Sequence, residues 1–251
     1  MIKALIFDMD GTLVQTEELK AKSYAKAAVE LKPKLSEQEV IDAFKDVVGL
    51  SRKEVSESLI KRFGLEELAK AKMKELHLDK PWQAYAQLRM GVYNAMISDP
   101  EILNKHLCPY NLGLLKWARE NAFHTALGTQ SHRPQTLQIL EILKIGNEFD
   151  FIATREDVEN PKPDPEIYLL LASELNVTPI ESLVIEDSAT GVQAALSAGM
   201  GCIAVTTAFT SEGVHKMKNM EKRWIVDSPQ KLLGVAKQFI TENEVPEART
   251  N

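Results

Sequence analysis

Two carboxylates lie close together near the start of the chain. Asp8 and Asp10 follow the apolar run 5–7 and are followed at once by Gly11 and Thr12. The apolar run predicts a buried parallel strand that ends in a tight glycine-containing loop. Two carboxylates this close repel each other unless a cation or a shared proton stabilises them, and Mg2+ would meet that need. The alternative is an acidic turn after a strand, without chemical function.

A hydroxyl side chain follows the second predicted strand. Residues 126–131 read Ala-Leu-Gly-Thr-Gln-Ser, which places the Thr129 hydroxyl and several backbone amides at the sheet edge. Backbone amides and a hydroxyl in this position could hold an anion. The alternative is that Thr129 only caps the next helix.

A lysine stands between two prolines in the segment 160–165, which reads Asn-Pro-Lys-Pro-Asp-Pro. Proline fixes its own φ and restricts the residue before it, so a stiff backbone presents Lys162. Stiffness suits a cation that must be held in one place. The alternative is a solvated lysine in a proline-rich turn before a helix.

Two adjacent carboxylates end a further apolar run. Residues 183–185 precede Glu186 and Asp187, and the chain then leads through Gly191 into a predicted helix. Asp187 could serve only as a cap of that helix. In parallel βα folds, however, the carboxyl ends of the strands face one crevice, so all four loops can meet there. Together they would supply a nucleophile, an acid/base group, phosphate ligands and metal ligands.

The elements that must position these loops change in character along the chain. Residues 17–106 predict only helices, with breaks at Pro33, 49–51, Gly64 and Pro81. From Pro109 onward, helices and strands alternate. The predicted helices are 114–120, 134–143, 165–175, 190–198 and 229–240, and the predicted strands are 123–127, 149–153, 182–185 and 202–205.

One strand precedes the helical segment and at least four follow it. We therefore expect an α/β fold, with a doubly wound parallel (Rossmann-like) sheet interrupted by an all-α insert. The predicted domains are an α/β core of residues 1–15 and 107–251 and a helical domain of residues 16–106. The polar end, 242–251, predicts a frayed tail.

Composition narrows the expected partners and location. The 251 residues are 44% hydrophobic and 26% charged, which is typical of a globular protein. A net charge of -6 with scattered lysines argues against nucleic acid as a partner. The first apolar run is too short for a signal peptide or a membrane span, so we expect no membrane partner. Cys108 and Cys202 predict two buried free thiols in a reducing cytoplasm. We expect a monomer or a weak homodimer.

The order of these motifs resembles the haloacid dehalogenase superfamily. Within it, the similarity is to β-phosphoglucomutase-like and phosphoglycolate phosphatase-like members, which have a helical cap inserted after the first motif. Residues 8–13 match the first motif, and Thr129, Lys162 and the pair Glu186-Asp187 match the second, third and fourth. The resemblance covers nearly the whole chain.

The resemblance implies a role for each matched residue. Asp8 would attack phosphorus to form an aspartyl-phosphate, and Asp10 would protonate the leaving oxygen and later activate water. Mg2+ would be bound by Asp8, by the backbone carbonyl of Asp10, by Asp187 and, directly or through water, by Glu186. The implied substrate contacts are Thr129, Gln130, Lys162 and Arg52.

The segment 49–52, Gly-Leu-Ser-Arg, is similar to a cap loop of β-phosphoglucomutase-like proteins that binds the far phosphate or sugar. This similarity makes Arg52 a candidate substrate contact. The alternative, which is compatible with it, is a helix start with Ser51 and Glu54 as a capping box. The chain departs from the mutases at Gln15 and in having Leu19-Lys20 where they have a histidine, and Gln15 also departs from the aspartate that is frequent there in the phosphatases. These departures weigh against mutase activity.

The resemblance therefore implies a Mg2+-dependent phosphatase of a small phosphorylated metabolite, such as a sugar phosphate. One alternative is a β-phosphoglucomutase-like phosphomutase. Another is a non-catalytic binding protein with the same fold, which has no use for a nucleophile beside an acid.

Overall fold

The computed structural model describes residues 1–48 and 50–244 and forms two compact units. The first comprises Met1–Gln15 and the chain from His106 onward, and the second comprises Thr16–Lys105. The second unit ends one residue before the boundary expected from the sequence, and its independence as a domain stays a prediction. Gly49 and the predicted tail beyond residue 244 lie outside the described residues.

The first unit is built on a six-stranded sheet in which all neighbouring strands are parallel. The strands are β1 (Ala4–Phe7), β2 (His124–Gly128), β3 (Phe151–Ala153), β4 (Ser182–Glu186), β5 (Gly201–Val205) and β6 (Ile225–Val226). Their order is β3-β2-β1-β4-β5-β6, which reverses direction between β1 and β4 as in doubly wound folds. The predicted fold class is confirmed.

The register of the central strands places the candidate residues at one edge. Phe7, the last residue of β1, pairs with Leu127 of β2 and with Ile185 of β4. All four residues of β1 are fully buried, as expected for a central parallel strand of apolar residues. Because the three strands end at the same level, Asp8 and Glu186 lie together at the edge formed by the carboxyl ends of the strands.

The second unit is helical throughout its regular structure. Its helices are α1 (Thr16–Leu31), α2 (Glu37–Phe44), α3 (Arg52–Phe63), α4 (Glu66–Glu75), α5 (Pro81–Ile97) and α6 (Pro100–Lys105). Gly64 ends α3 in the left-handed region, with φ of 60°, and Pro81 begins α5, as these residue types favour. The Tyr24 ring packs 5.6 Å from that of Phe44 and 5.7 Å from that of Tyr85. This aromatic cluster forms part of the unit's core.

The helices of the first unit connect its strands. They are α7 (Pro109–Glu120), α8 (Arg133–Leu143), α9 (Glu166–Glu174), α10 (Ala189–Ser197), α11 (Ser211–His215) and α12 (Leu232–Glu242). Short 3-10 turns lie in the first unit at Gly146–Glu148, Arg155–Asp157, Pro179–Glu181, Lys222–Trp224 and Pro229–Lys231, and in the second unit at Lys45–Val47. Among the described residues, none of the helices combines the length and the apolar character that crossing a bilayer requires.

Several boundaries differ from those predicted. Helix α7 begins five residues before the predicted start, because Pro109 is well suited to a first helical position. Helix α11 and strand β6 were not predicted, since each is too short to show a periodic pattern. The last helix begins at Leu232 after a 3-10 turn and includes Glu242, which the sequence placed in a tail.

Candidate active site

Asp8 is the first residue after β1. Its backbone amide donates to the Ile185 carbonyl at 3.0 Å, which continues the pairing of β1 with β4 and fixes the residue in place. Asp8 is only 6% exposed. Burial raises the pKa of its carboxyl above the ordinary value, and the carboxylates of Glu186 and Asp10 act in the same direction, whereas Lys162 opposes the shift. Lys162 does not outweigh these effects, so Asp8 is a buried acid that needs further positive charge, which a bound cation would supply, to stay ionised.

The Lys162 side chain supplies one part of the positive charge beside Asp8. Its ammonium group donates to Asp8 Oδ1 at 2.8 Å, to the Gly128 carbonyl at 3.0 Å and to Glu186 Oε1 at 2.6 Å. The side chain is 4% exposed, so water screens these contacts little. Burial opposes the charged form, but the Asp8 and Glu186 carboxylates outweigh it and raise the pKa of Lys162. Lys162 is therefore a fixed buried cation, in contrast to the alternative of a solvated lysine.

Glu186, at the end of β4, accepts hydrogen bonds at both carboxylate oxygens. Oε1 accepts from Lys162 and from the Tyr168 hydroxyl, and Oε2 accepts from the backbone amides of Asp187 and Ser188 and from the Ser188 hydroxyl. Burial opposes its charge, but Lys162 outweighs burial and lowers the pKa of Glu186. A Cβ at Gly191 would lie 1.8 Å from Glu186 Oε1, so only glycine leaves room for this carboxylate.

Asp10 faces the second motif. Its Oδ2 accepts from the Thr129 hydroxyl at 3.1 Å and from the Ser131 hydroxyl at 2.6 Å. The Thr129 hydroxyl in turn accepts from the Ser131 backbone amide at 3.1 Å. Thr129 therefore lies where the sequence placed it, at the end of β2, and it orients the second carboxylate of the first motif.

Gly11 allows the first and fourth motifs to approach each other. Its φ is +83°, a conformation that L side chains rarely adopt, and a Cβ there would lie 2.1 Å from Asp187 Oδ2. The Gly11 amide donates to the Val14 carbonyl at 2.7 Å, which closes a tight turn after Asp10. The loop thus needs glycine both for its backbone conformation and for the close passage of Asp187.

The donor set fits a divalent cation. Ligand atoms of Asp8, Glu186 and Asp187 lie within 4.8 Å of one another, and all three residues are buried. Three carboxylates beside one ammonium group leave excess negative charge, and Mg2+ prefers such oxygen ligands. Since protein donors already occupy both Glu186 oxygens, Asp8 and Asp187 are the residues best placed to bind the ion directly.

Residues just after the second motif are only partly integrated into this site. Gln130 is half-buried, and within the described part of the chain its Nε2 has no hydrogen-bond partner. His132 Nδ1 lies 2.6 Å from Glu156 Oε1, and the Arg133 guanidinium pairs with Asp157. His132, just before α8, thus contacts Glu156, and Arg133 begins the helix in an ion pair with Asp157, while Gln130 as a substrate contact stays a prediction.

Arg52 belongs to the second unit, where it is the exposed first residue of α3. Ser51 caps the helix: its hydroxyl accepts from the Glu54 amide, and the Glu54 carboxylate accepts from the Ser51 amide. The expected capping box is therefore present. Gly49 of the same loop lies outside the described residues, and a substrate contact by Arg52 stays a prediction.

Sequence reasoning missed two side chains of the site. Ser131 contacts Asp10, and its position two residues after Thr129 was the available signal. Tyr168 contacts Glu186, but in the sequence it is one more aromatic residue in an apolar helix. Gln15 also has a defined contact, since its amide donates to the Gly11 carbonyl at 3.3 Å and to Cys108 Sγ at 3.1 Å.

Comparison with known proteins places this arrangement in a family. The sequence model described as haloacid dehalogenase-like hydrolase matches residues 5–205. The phosphorylated carbohydrates phosphatase of Thermotoga maritima is 27% identical over 239 residues, which cover 95% of this chain and 100% of that protein. Protein CbbY of Cereibacter sphaeroides is 30% identical over 209 residues, which cover 81% of this chain and 84% of that protein. The solved structure of β-phosphoglucomutase from Clostridium difficile has a TM-score of 0.68 at 27% identity and covers 97% of both chains.

The chain belongs to the haloacid dehalogenase-like hydrolase family. Its relatives include proteins named as phosphatases, among them the Thermotoga maritima protein. The predicted family and the predicted enzyme class are confirmed.

Proposed function

We propose that this protein is a Mg2+-dependent phosphatase that hydrolyses small phosphorylated carbohydrates through an aspartyl-phosphate at Asp8. The observation that carries the proposal is the contact between a buried carboxylate and a buried ammonium group, Asp8 and Lys162, 2.8 Å apart beside Asp187. A nucleophile, a cation for the phosphoryl oxygens and a metal-binding carboxylate are the parts that phosphoryl transfer needs.

Each proposed step uses a group whose position supports it. An Asp8 carboxylate oxygen attacks phosphorus while the bond from phosphorus to the leaving oxygen breaks, and Asp10 donates a proton to that oxygen. Asp10, then ionised, takes a proton from the water that attacks phosphorus, so that phosphate leaves and the Asp8 carboxylate is restored. Asp10 is held for this role by the hydroxyls of Thr129 and Ser131.

Positive charge must offset the phosphoryl oxygens during both steps. Lys162 would provide it from a fixed position. Thr129, which matches the second motif, is the proposed hydroxyl ligand of a phosphoryl oxygen. Mg2+, when bound, would supply further positive charge there and would polarise the phosphoryl group. Asp8 and Asp187 are the proposed side-chain ligands of Mg2+. The similarity to the family adds the backbone carbonyl of Asp10 as a ligand, and Glu186 would bind the ion directly or through water.

The names of relatives support the proposed substrate class. One is named a phosphorylated carbohydrates phosphatase, and a solved structure of CbbY from Rhodobacter sphaeroides, 25% identical with a TM-score of 0.66, contains xylulose-(1,5)bisphosphate. Similarity to a β-phosphoglucomutase makes phosphomutase activity the alternative. The chain has Leu19 and Lys20 in the region where the β-phosphoglucomutases typically have a histidine, which favours hydrolysis, whereas Gln15 departs from the mutases and the phosphatases alike.

The test is turnover of a panel of phosphorylated carbohydrates, with Mg2+ and with EDTA, in which free phosphate and isomerised sugar phosphate are both measured. Phosphate release that requires Mg2+ supports the proposal. Isomerisation without phosphate release would make the protein a mutase, and no turnover with any compound would favour the non-catalytic binding protein. A cytoplasmic location, a monomer or weak homodimer, and the absence of nucleic-acid or membrane partners stay predictions.

A further inference from the structure

Tyr168 contacts both Lys162 and Glu186, which form a buried ion pair at the site. It lies in the first turn of α9, shortly after the loop that carries Lys162, and is fully buried. Its hydroxyl donates to Glu186 Oε1 at 2.7 Å, and its ring centroid lies 4.8 Å from the Lys162 ammonium nitrogen. Tyr168 therefore combines a hydrogen bond to the carboxylate with a cation–π contact to the lysine.

The contacts around the ammonium group leave it little freedom. Its three donors are matched by Asp8, Gly128 and Glu186. The Tyr168 ring also lies against Gly128, because a Cβ built there would be 3.5 Å from a ring carbon. Thus the Tyr168 side chain contacts Lys162 and the two groups that accept hydrogen bonds from it, the Glu186 carboxylate and the Gly128 backbone.

We propose that Tyr168 is a positioning residue for phosphoryl transfer, which fixes Lys162 through its ring and Glu186 through its hydroxyl. The inference rests on the proposed function, since it assigns Lys162 to the phosphoryl group. A lysine ammonium group that is already oriented stabilises the transition state without having to reorganise. If Lys162 is no longer held in place, the rate should therefore fall more than substrate binding weakens.

The experiment compares Tyr168→Phe and Tyr168→Leu with the wild-type enzyme and with Tyr85→Phe. Tyr85 is a matched control, because it is equally buried and its hydroxyl donates to the Tyr24 carbonyl within the helical unit, at 2.8 Å. We expect Tyr168→Phe to lower kcat about 10-fold, the scale of one hydrogen bond to a charged group, with KM within about 2-fold. Tyr168→Leu, which also loses the ring, should fall further, and Tyr85→Phe should keep the wild-type kcat.

Glu186→Gln provides a second comparison, in which Tyr168→Phe is made in both backgrounds. If Tyr168 acts through Glu186 and Lys162, its loss adds little once Glu186 is changed, so the two effects on kcat are clearly less than additive. Wild-type kcat in both Tyr168 variants, an equal loss in Tyr85→Phe, or full additivity with Glu186→Gln would each overturn the inference. A wild-type enzyme that releases no phosphate from any substrate would instead refute the proposed function itself.

Discussion

Lys162 lies 2.8 Å from Asp8 Oδ1, and both side chains are buried, with exposures of 4% and 8%. The two partners are not equivalent: removal of Lys162 leaves Asp8 and Glu186 buried without their cation, whereas removal of Asp8 leaves Lys162 paired with Glu186. Substitution of Asp8 should therefore affect mainly the proposed chemistry, whereas substitution of Lys162 should affect both the chemistry and the stability of the core.

Asp8→Asn should abolish turnover while the protein stays folded. Asparagine keeps the shape of the side chain but cannot act as the nucleophile, so kcat should fall by about 1000-fold or more. Stability should change little, since Lys162 keeps its contacts with Gly128 and Glu186. Phosphate release and circular dichroism measure the two effects. Asp46→Asn, an exposed residue paired with Arg62, is the control that should keep full activity, and substantial hydrolysis by Asp8→Asn would remove the nucleophile assignment.

Lys162→Ala should lower both rate and stability. The rate should fall by about 100-fold to 1000-fold, because the phosphoryl charge loses its fixed cation. The free energy of unfolding should fall by about 3–5 kcal/mol, because Asp8 and Glu186 are left buried without their partner. Urea unfolding and kcat measure these effects. Lys216→Ala, which removes a 72% exposed lysine paired with Glu212, should cost less than about 1 kcal/mol. Equal costs for the two variants would contradict the account.

Gly11→Ala should weaken Mg2+ binding. Alanine would be strained at the Gly11 φ of +83°, and its Cβ would collide with the Asp187 carboxylate, so the first and fourth loops must move apart. We expect a higher Mg2+ concentration for half-maximal activity. Gly91→Ala is the matched control: Gly91 lies inside α5 with open space around its Cβ position, and alanine there should stabilise by about 0.5–1 kcal/mol. An unchanged Mg2+ titration of Gly11→Ala would argue against this metal site.

The two thiols should be unreactive in the folded protein. Burial raises the pKa of Cys108 to about 11 and raises that of Cys202 well above its ordinary value, so both stay protonated at pH 8. A thiol reagent such as Ellman's reagent should therefore react only slowly with the native protein. In guanidinium chloride, which unfolds the protein, it should react rapidly with both cysteines. Fast reaction of either cysteine under native conditions would show that its side chain is accessible.

Much of the fold and site could be predicted because the signals are local. The runs before Asp8 and Glu186 are apolar and end abruptly in carboxylates, and such runs in parallel folds are central strands that end at one edge. The proline-flanked Lys162 was also recognisable, because proline restricts the backbone whatever the tertiary context. Strand β6, with only two residues, has no such signal and became visible only through its pairing with β5.

The partners within the site could not be predicted in the same way. Glu186 accepts from Lys162 through one carboxylate oxygen and from the backbone of its own loop through the other. These contacts depend on side-chain rotamers and on distances between segments that are far apart in the chain. Tyr168 illustrates the same limit, since a buried tyrosine in a helix is usually core packing, and only its contacts distinguish it. Periodicity predicts which face of a helix is buried, but it does not predict which polar group that face meets.

The most direct test of the central claim is to trap the covalent intermediate. The enzyme would be mixed with an excess of a phosphorylated carbohydrate that it hydrolyses, quenched during turnover and reduced with borohydride, which converts an aspartyl-phosphate to homoserine. Mass spectrometry of the peptide that contains residues 4–15 then identifies the modified position. The account predicts homoserine in place of Asp8 in the wild-type enzyme and none in Asp8→Asn. Turnover without modification at Asp8, or modification at another residue, would contradict it.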